Sequence, residues 1–391
     1  MATEGLRRIG LVDAGSPGWT AGSAFVRTLA SSLTAAAEGC GIEVAVLSAA
    51  GPDGSGGHAV PLVSRRQLPG EARLRELARR PPGLSPIGTA RRHGVSVLVL
   101  PFFVPRLTRG VAVIGWIPDF QHLHLPELFD DEERLRRDAE YRALARRADL
   151  VLLSSDSVAA DFTAFAPEHA AKARVLPFPS RFAFETVSAA NPPARQQFTL
   201  PPKFALVVGQ LWRHKNHQLV LDALRALRAR GVAVPVVVVG LPADYRDPAN
   251  TVLSRLLQTI AEVPLRDQVT MLGLVSEANL LDLLRTAAVV IQPSRFEGWS
   301  TVVQDAQALG RPLLCSDIAV HREQAPAALG FFDPDRPDAL AELLAAKWDG
   351  LPAGPDLAAE EEALAKERRF AREHGERLLA LCREAYEAQR G

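Results

Sequence analysis

The chain has 391 residues; its 45 basic and 45 acidic side chains cancel, and 47% of its residues are hydrophobic. This is the balance of a globular protein with room for two domains, and the absence of a basic excess excludes the usual nucleic-acid binder. Three cysteines, Cys40, Cys315 and Cys382, form no CxxC pair and leave an odd number, so neither a disulfide framework nor a zinc knuckle is indicated. The start, MATEGLRRIGLVDAG, reaches a glycine turn without the apolar run of a signal peptide, and no later stretch is long enough to span a bilayer. A cytoplasmic protein is expected. The Arg-rich segment 132–147 reads first as a solvated helix face, with peripheral contact at the inner face of a membrane left open.

In chain order, short β-branched runs alternate with helical patterns twice over, the rhythm of two parallel-sheet α/β units. The first unit is expected to hold strands at 8–13, 43–47, 96–100, 111–116, 150–153 and 174–176. Helices at 22–38, 71–79, 130–148 and 157–165 separate them. The stretch from Phe182 to Pro202, with SAANPPARQQFTLPP, lacks periodicity and reads as a connection. The second unit would carry strands at 204–208, 234–239, 269–272, 289–292 and 312–315, with helices at 216–230, 254–262, 277–286 and 301–309. A final helical stretch covers 357–389. The expected division is therefore 1–185, a linker at 186–202, 203–356, and the terminal helix 357–391.

Four loops carry chemistry. In VVIQPSRFEGWSTVVQDAQALGRPLLCSDIAVHRE, 289–323, a buried strand runs into a Pro-Ser turn and an acidic loop, and a helix starts at Ser300 or Thr301. Its first amides would point at an anion above the turn. Glu297 and Asp305 flank that start. In VVGQLWRHKNH, 207–217, Gly209 lets the chain turn at the sheet's carboxyl edge, and Arg213, His214 and Lys215 follow as cations able to neutralise a diphosphate. The bland reading is a βα loop in which Asn216 caps the next helix. In IGWIPDFQHLHLPELF, 114–129, a strand ends in a polar loop with Asp119, Gln121, His122 and His124, suited to meeting a sugar or managing a proton, or else to bonding neighbouring backbone. No further ligand completes a metal site around the two histidines. In DAGSPGWTAGSAF, 13–25, Gly15, Gly18 and Gly22 make the backbone approachable, but the spacing is neither GxGxxG nor Walker A. Asp333 to Asp335, DPD, and Asp130 to Glu133 read as helix-start residues.

The 289–323 stretch resembles the PS-x-x-EG…E-A…G-x-P…SD signature of the fourth sequence family of retaining glycosyltransferases, the glycosyl transferases group 1. In that family one glutamate lies near the donor sugar and the second bonds the ribose. By position Glu297 matches the first, and Asp305, one methylene shorter, stands at the second. The 207–217 loop is similar to the family's VG-R-x-x-x-x-KN segment, whose arginine and lysine grip the donor's phosphates. Lys215 and Asn216 match, Gln210 stands where the arginine would be, and Arg213 is the candidate replacement. In the 114–129 loop Pro118 stands for the family's histidine, while Asp119, Gln121, His122 and Pro126 remain.

The resemblance implies a GT-B fold, with two Rossmann-like parallel-sheet domains facing a cleft and a C-terminal helix crossing back to the first. It implies transfer of a sugar, a hexose by preference, from a nucleotide-sugar donor such as a UDP- or GDP-sugar to a hydroxyl acceptor (glycan, lipid-linked or small-molecule), with retention of configuration. Neither a metal nor a further cofactor is implied. The catalytic candidates are Asp119, His122, Glu297 and Lys215. Donor contacts would come from Gly22, Gly209, Arg213, Lys215, Ser300, Thr301 and Asp305. Two alternatives stay open: a sugar-nucleotide epimerase or pseudo-glycosyltransferase on the same fold, and a non-catalytic binding subunit.

Overall fold

A computed structural model describes residues 5–13, 20–48, 58–61, 86–101, 108, 110–184, 193–242, 244–262 and 265–390. Gly15, Gly18, the helix expected over 71–79 and the linker residues 186–192 lie outside these. The chain divides into two units. Residues 1–122, 130–184 and 368–391 form the first, and 123–129 with 185–367 form the second.

The first unit is a seven-stranded parallel sheet in the order β3-β2-β1-β4-β5-β6-β7. Its strands are β1 (Arg8–Asp13), β2 (Glu43–Ser48), β3 (His58–Pro61), β4 (Val97–Pro101), β5 (Ala112–Ile117), β6 (Leu150–Leu153) and β7 (Ala173–Val175). Helices α1 (Thr20–Ala37), α2 (Pro86–Arg92), α3 (Gln121–His124), α4 (Asp131–Arg147) and α5 (Asp156–Phe165) lie between them. All six β5 residues are buried, as expected of a strand covered on both faces. Helix α4 lies so close to it that a Cβ on Gly115 would come within 2.5 Å of Leu144.

Asp130 caps α4, its Oδ1 accepting from the Glu133 amide at 2.7 Å, with acids in the first turn and Arg146 and Arg147 in the last, in keeping with the helix dipole. On its outer face Arg136 pairs with Glu140 and Arg137 with Glu133, each at 2.9 Å. Arg134, Arg136 and Arg137 thus meet acids of their own helix, the pattern of a solvated face, whereas Arg142 donates to the Phe165 carbonyl at 3.1 Å. Among the described residues no helix is long and apolar enough to cross a membrane.

The second unit is a six-stranded parallel sheet in the order β10-β9-β8-β11-β12-β13. Here β8 is Ala205–Val208, β9 Val236–Val239, β10 Val269–Gly273, β11 Val289–Gln292, β12 Leu313–Ser316 and β13 Gly330–Phe332. The helices are α6 (Ala194–Gln197), α7 (His217–Ala229), α8 (Thr251–Glu262), α9 (Glu277–Thr286), α10 (Thr301–Ala308), α11 (Ala319–Gln324) and α12 (Pro337–Lys347). The Val236–Val239 run is wholly buried, and α7 turns an apolar stripe of Leu219, Val220, Ala223, Leu224 and Leu227 onto the same core. Strands β3 and β13 and helices α2, α3, α6, α11 and α12 add to the expected elements, α6 within the stretch read as a connection.

The terminal helix α13 (Leu357–Ala388) serves both units. Within the second, Glu360 accepts from Arg285 Nε at 2.8 Å. Within the first, the His374 ring meets Ser32 Oγ at 2.9 Å, and Gln389 donates to the Val111 carbonyl at 2.8 Å. A Cβ on Gly375 would stand 2.2 Å from the Ser32 carbonyl, so the helix needs glycine to approach α1 this closely. The chain thus crosses back into its first unit, as a GT-B fold requires.

Candidate functional site

In the second sheet the strand order reverses between β8 and β11, which pair in register with Val289 opposite Ala205. The carboxyl ends of strands at such a switch point are where open α/β sheets bind ligands. The loops leaving these two strands hold the Lys215 and Glu297 candidates.

The first loop leaves β8 at Gly209, whose amide donates to the Val239 carbonyl at 2.9 Å. The neighbouring backbone is so near that a Cβ on Gly240 would sit 1.8 Å from the Gly209 carbonyl oxygen. Glycine at 240 therefore lets the turn begin where it does. A 3-10 turn, Arg213–Lys215, follows, and Asn216 ends it at φ 58°, a left-handed conformation that asparagine tolerates. Asn216 does not cap α7 with its side chain. It donates instead to the carbonyls of Pro293, at 3.1 Å, and Pro334, at 2.8 Å, which ties this loop to those after β11 and β13. The Arg295 amide, donating to the His214 carbonyl at 2.8 Å, adds a third tie.

Across this seam Lys215 Nζ donates to Glu297 Oε1 at 2.7 Å, and Gln292 Nε2 donates to the same oxygen at 2.9 Å. The Lys215 side chain is 21% exposed and that of Glu297 9%, so the pair sits in a recess open on the lysine side. Gln292 also reaches Ser300 Oγ at 3.1 Å. Ser300 is the N-cap of α10, its hydroxyl oxygen accepting from the Val303 amide. The Ser300 amide was expected to face an anion, but it donates to Gln324 Oε1 at 3.0 Å. Among the described residues the first-turn amides of α10 left without an intrahelical or capping acceptor are those of Thr301 and Val302. Asp305 lies one turn further along α10 and is buried. Arg213 is exposed.

Three buried histidines surround the recess. Burial, with Lys215 adding to it, pushes His217 down to about 4 and His214 well below the ordinary value. Burial also lowers His321, against the pull of nearby Glu297. All three are neutral near pH 7, which leaves Lys215 as the charge on the β8 side facing Glu297.

The first-unit candidates have other partners. Asp119 Oδ1 accepts from the Gln121 amide at 2.9 Å and closes the turn into α3. His122, 1% exposed, bonds Asp138 Oδ1 through Nε2 at 3.0 Å and packs edge-on against Tyr141. Burial is the largest effect on its ring and lowers its pKa, with Asp138 opposing. His124, in the segment that belongs to the second unit, lies against the Phe296 ring with centroids 5.0 Å apart. Gly22 is buried in the first turn of α1. In the DPD segment the Asp333 carboxylate accepts from the Asp335 amide at 2.8 Å, while Asp335 pairs with Arg295, so neither acid caps α12. Among the described residues no group of three or more His, Cys, Asp or Glu side chains could hold a metal ion.

Residues 191–347, which contain this recess, match the family model described as glycosyl transferases group 1. The match lies within the second unit and spans most of it. Alpha-D-kanosaminyltransferase of Streptomyces kanamyceticus is 25% identical over 256 residues, 62% of this chain and 64% of that protein. Across the first curated relatives the matched stretches span 30% to 64% of the relative's length. Sucrose-phosphate synthase from Thermosynechococcus elongatus superposes with a TM-score of 0.67 at 18% identity, over 98% of this chain and all of that one. Anabaena HepE in complex with UDP-glucose does so with a TM-score of 0.62 at 16% identity, over 97% and 98%. The solved structures support the fold, two parallel α/β sheets of the GT-B kind.

Several members of the recess carry no sequence motif. Gln292 ends an apolar VVIQ strand, and the one signal it offered was a polar residue where the strand meets its loop. His321 is buried, its Nδ1 3.0 Å from the Ser316 carbonyl oxygen. Arg246 bonds Asp244 at 3.0 Å and lies over the Trp212 ring at 4.9 Å, bracing the 209–216 loop from the β9 side. No motif announces it.

Proposed function

We propose that the chain is a glycosyltransferase that moves a sugar, a hexose by preference, from a nucleoside-diphosphate sugar to a hydroxyl acceptor with retention of anomeric configuration and without a divalent metal. The observation that carries this reading is the Lys215–Glu297 pair at the sheet's switch point, beside the open amides of α10. A departing diphosphate needs positive charge near its oxygens, which Lys215, exposed Arg213 and the Thr301 and Val302 amides can supply. Glu297, held from two sides, would orient the sugar, and Asp305 would bond the ribose. Asp119 and His122 are proposed to act on the acceptor side. The group 1 family and the UDP-glucose complex of HepE support a sugar-nucleotide donor.

The test is a screen of UDP-, GDP-, ADP- and dTDP-sugars with hydroxyl acceptors, read by proton NMR of the first-formed product. The donor's anomeric configuration is expected in the product, with full activity in EDTA. Inversion would refute retention, and magnesium-reversible loss in EDTA would refute metal independence. A change in the sugar without acceptor would show an epimerase instead. Ribose recognition has its own check: Asp305→Ala is expected to weaken nucleotide and sugar-nucleotide binding alike in calorimetry, with Asp305→Glu tolerated. Unchanged affinity in the alanine variant would remove Asp305 from the site.

A further inference from the structure

Behind the recess the α10 N-cap is gripped by a run of buried carboxamides. Gln324, the last residue of α11, accepts from the Ser300 amide through Oε1 at 3.0 Å and donates from Nε2 to the Ser300 carbonyl at 2.8 Å. One side chain thus holds the main chain on both sides of a single residue. Its Nε2 also reaches Gln304 Oε1 at 3.3 Å, and the Gln324 main-chain carbonyl accepts from Gln307 Nε2 at 3.1 Å. Gln304 in turn donates from Nε2 to both carboxylate oxygens of Glu367, at 3.1 and 2.9 Å. Ser300, Gln304, Gln324 and Glu367 are each at most 6% exposed.

The chemistry gives this run a direction. When Glu367 is ionised its carboxylate only accepts, which turns the Gln304 NH2 outward to α13 and the Gln304 oxygen toward Gln324. That oxygen takes the Gln324 NH2, which leaves Gln324 Oε1 for the Ser300 amide. Ser300 independently demands the same orientation, because its amide must donate and its carbonyl must accept. Both ends of the run agree, and each of the two carboxamides has its oxygen and its NH2 bonded, the condition under which such a network makes a site rigid. On the far side Ser300 Oγ takes Gln292 Nε2, and Gln292 holds Glu297.

We propose that Gln324 is a positioning residue of the donor site: by clamping the Ser300 main chain it fixes the Gln292 amide and the Glu297 carboxylate, and aims the Thr301 and Val302 amides. The role is separate from any contact with substrate, and it rests on the donor-site reading above. Gln304 and Glu367 serve it by setting which way the Gln324 carboxamide faces.

The experiment uses the full chain. Calorimetry first finds which of UDP, GDP, ADP and dTDP binds tightest, and then compares it with its own nucleoside in wild type, Gln324→Met and Gln304→Met. Methionine keeps the length of glutamine and removes both hydrogen-bonding groups. Gln324→Met is expected to weaken the diphosphate about tenfold, to leave the nucleoside unchanged, and to lower sugar-nucleotide turnover about tenfold to a hundredfold. Gln304→Met, which leaves both Ser300 bonds possible but frees their orientation, should move the same readouts the same way by less. A lower melting midpoint with unchanged diphosphate affinity and turnover in both variants would mean that the carboxamides only pack, and the inference falls. Should Gln324→Met not fold, Gln304→Met decides by the same readout. A wild-type chain that binds none of the four diphosphates and turns over none of their sugars would overturn the donor-site reading itself, and this inference with it.

Discussion

Replacing Lys215 by alanine is expected to lower kcat by about a hundredfold to a thousandfold while raising the donor KM far less. Breaking the bond from sugar to phosphate adds negative charge to the diphosphate, so a cation beside it gains more in the transition state than in the ground state. A unit pair at about 4 Å in an effective dielectric near 20 is worth roughly 4 kcal/mol before desolvation. The alanine has a second consequence. Glu297 accepts from Lys215 at 2.7 Å and its side chain is only 9% exposed, so removing the cation leaves a poorly solvated carboxylate and lowers stability as well. The two effects separate in the double variant Lys215→Ala with Glu297→Gln, where stability should return and turnover should not. Lys215→Arg keeps the charge and changes its reach, so partial activity is expected. Arg213→Ala should resemble Lys215→Ala if Arg213 supplies the charge absent at Gln210. Near-normal kcat in a folded Lys215→Ala protein would make Lys215 an ordinary surface residue and move the phosphate site elsewhere.

The parts of the molecule legible in the sequence are those whose signal is local. The valines of Val236–Val239 have to be covered on both faces, and the Asp130 cap announces α4, because burial and capping depend on residues a few positions apart. Likewise Lys215 and Glu297 could be singled out as a charged residue just past each of two strand ends, where a parallel sheet binds ligands. Elements without such a signal were missed: β13 is three residues, GFF, and is a strand because β12 lies beside it. Partnerships were the least legible. Asn216 looked like a helix cap, yet its carboxamide closes the seam to Pro293 and Pro334, a choice made by backbone that is 77 and 118 positions away. His122 gave no sign that Asp138, sixteen residues on and one helix later, would hold it in a buried place. Carboxamides are neutral and fall into no period, so the run from Ser300 to Glu367 becomes visible only when α10, α11 and α13 are in place.

Acid is expected to destabilise both units well before the carboxylates titrate. His217 in the second unit is pushed down to about 4, by burial first and Lys215 second, and His374 in the first to about 3, by burial first and Arg377 second. In an unfolded chain each would titrate near 6.5. Because the folded values are depressed, the unfolded state takes up protons first as pH falls below about 6.5. The stability each ring contributes is therefore complete above that pH and is lost as pH drops toward the folded value. For His217 the shift corresponds to about 3 kcal/mol, and His374 adds a comparable amount, a large part of the roughly 5–15 kcal/mol that holds a typical domain folded. Urea unfolding at pH 7, 6, 5 and 4 should show midpoints falling steadily across that window. His217 lies among Val207, Val220, Leu221 and Met271, an apolar lining that can accept phenylalanine. His217→Phe should therefore keep much of the stability at pH 7 and flatten the acid slope of the second unit alone, and His374→Phe, where Ser32 keeps its bond to the Leu29 carbonyl, should do the same for the first. If both variants lose stability with acid as steeply as the wild-type chain, these histidines do not carry its acid sensitivity.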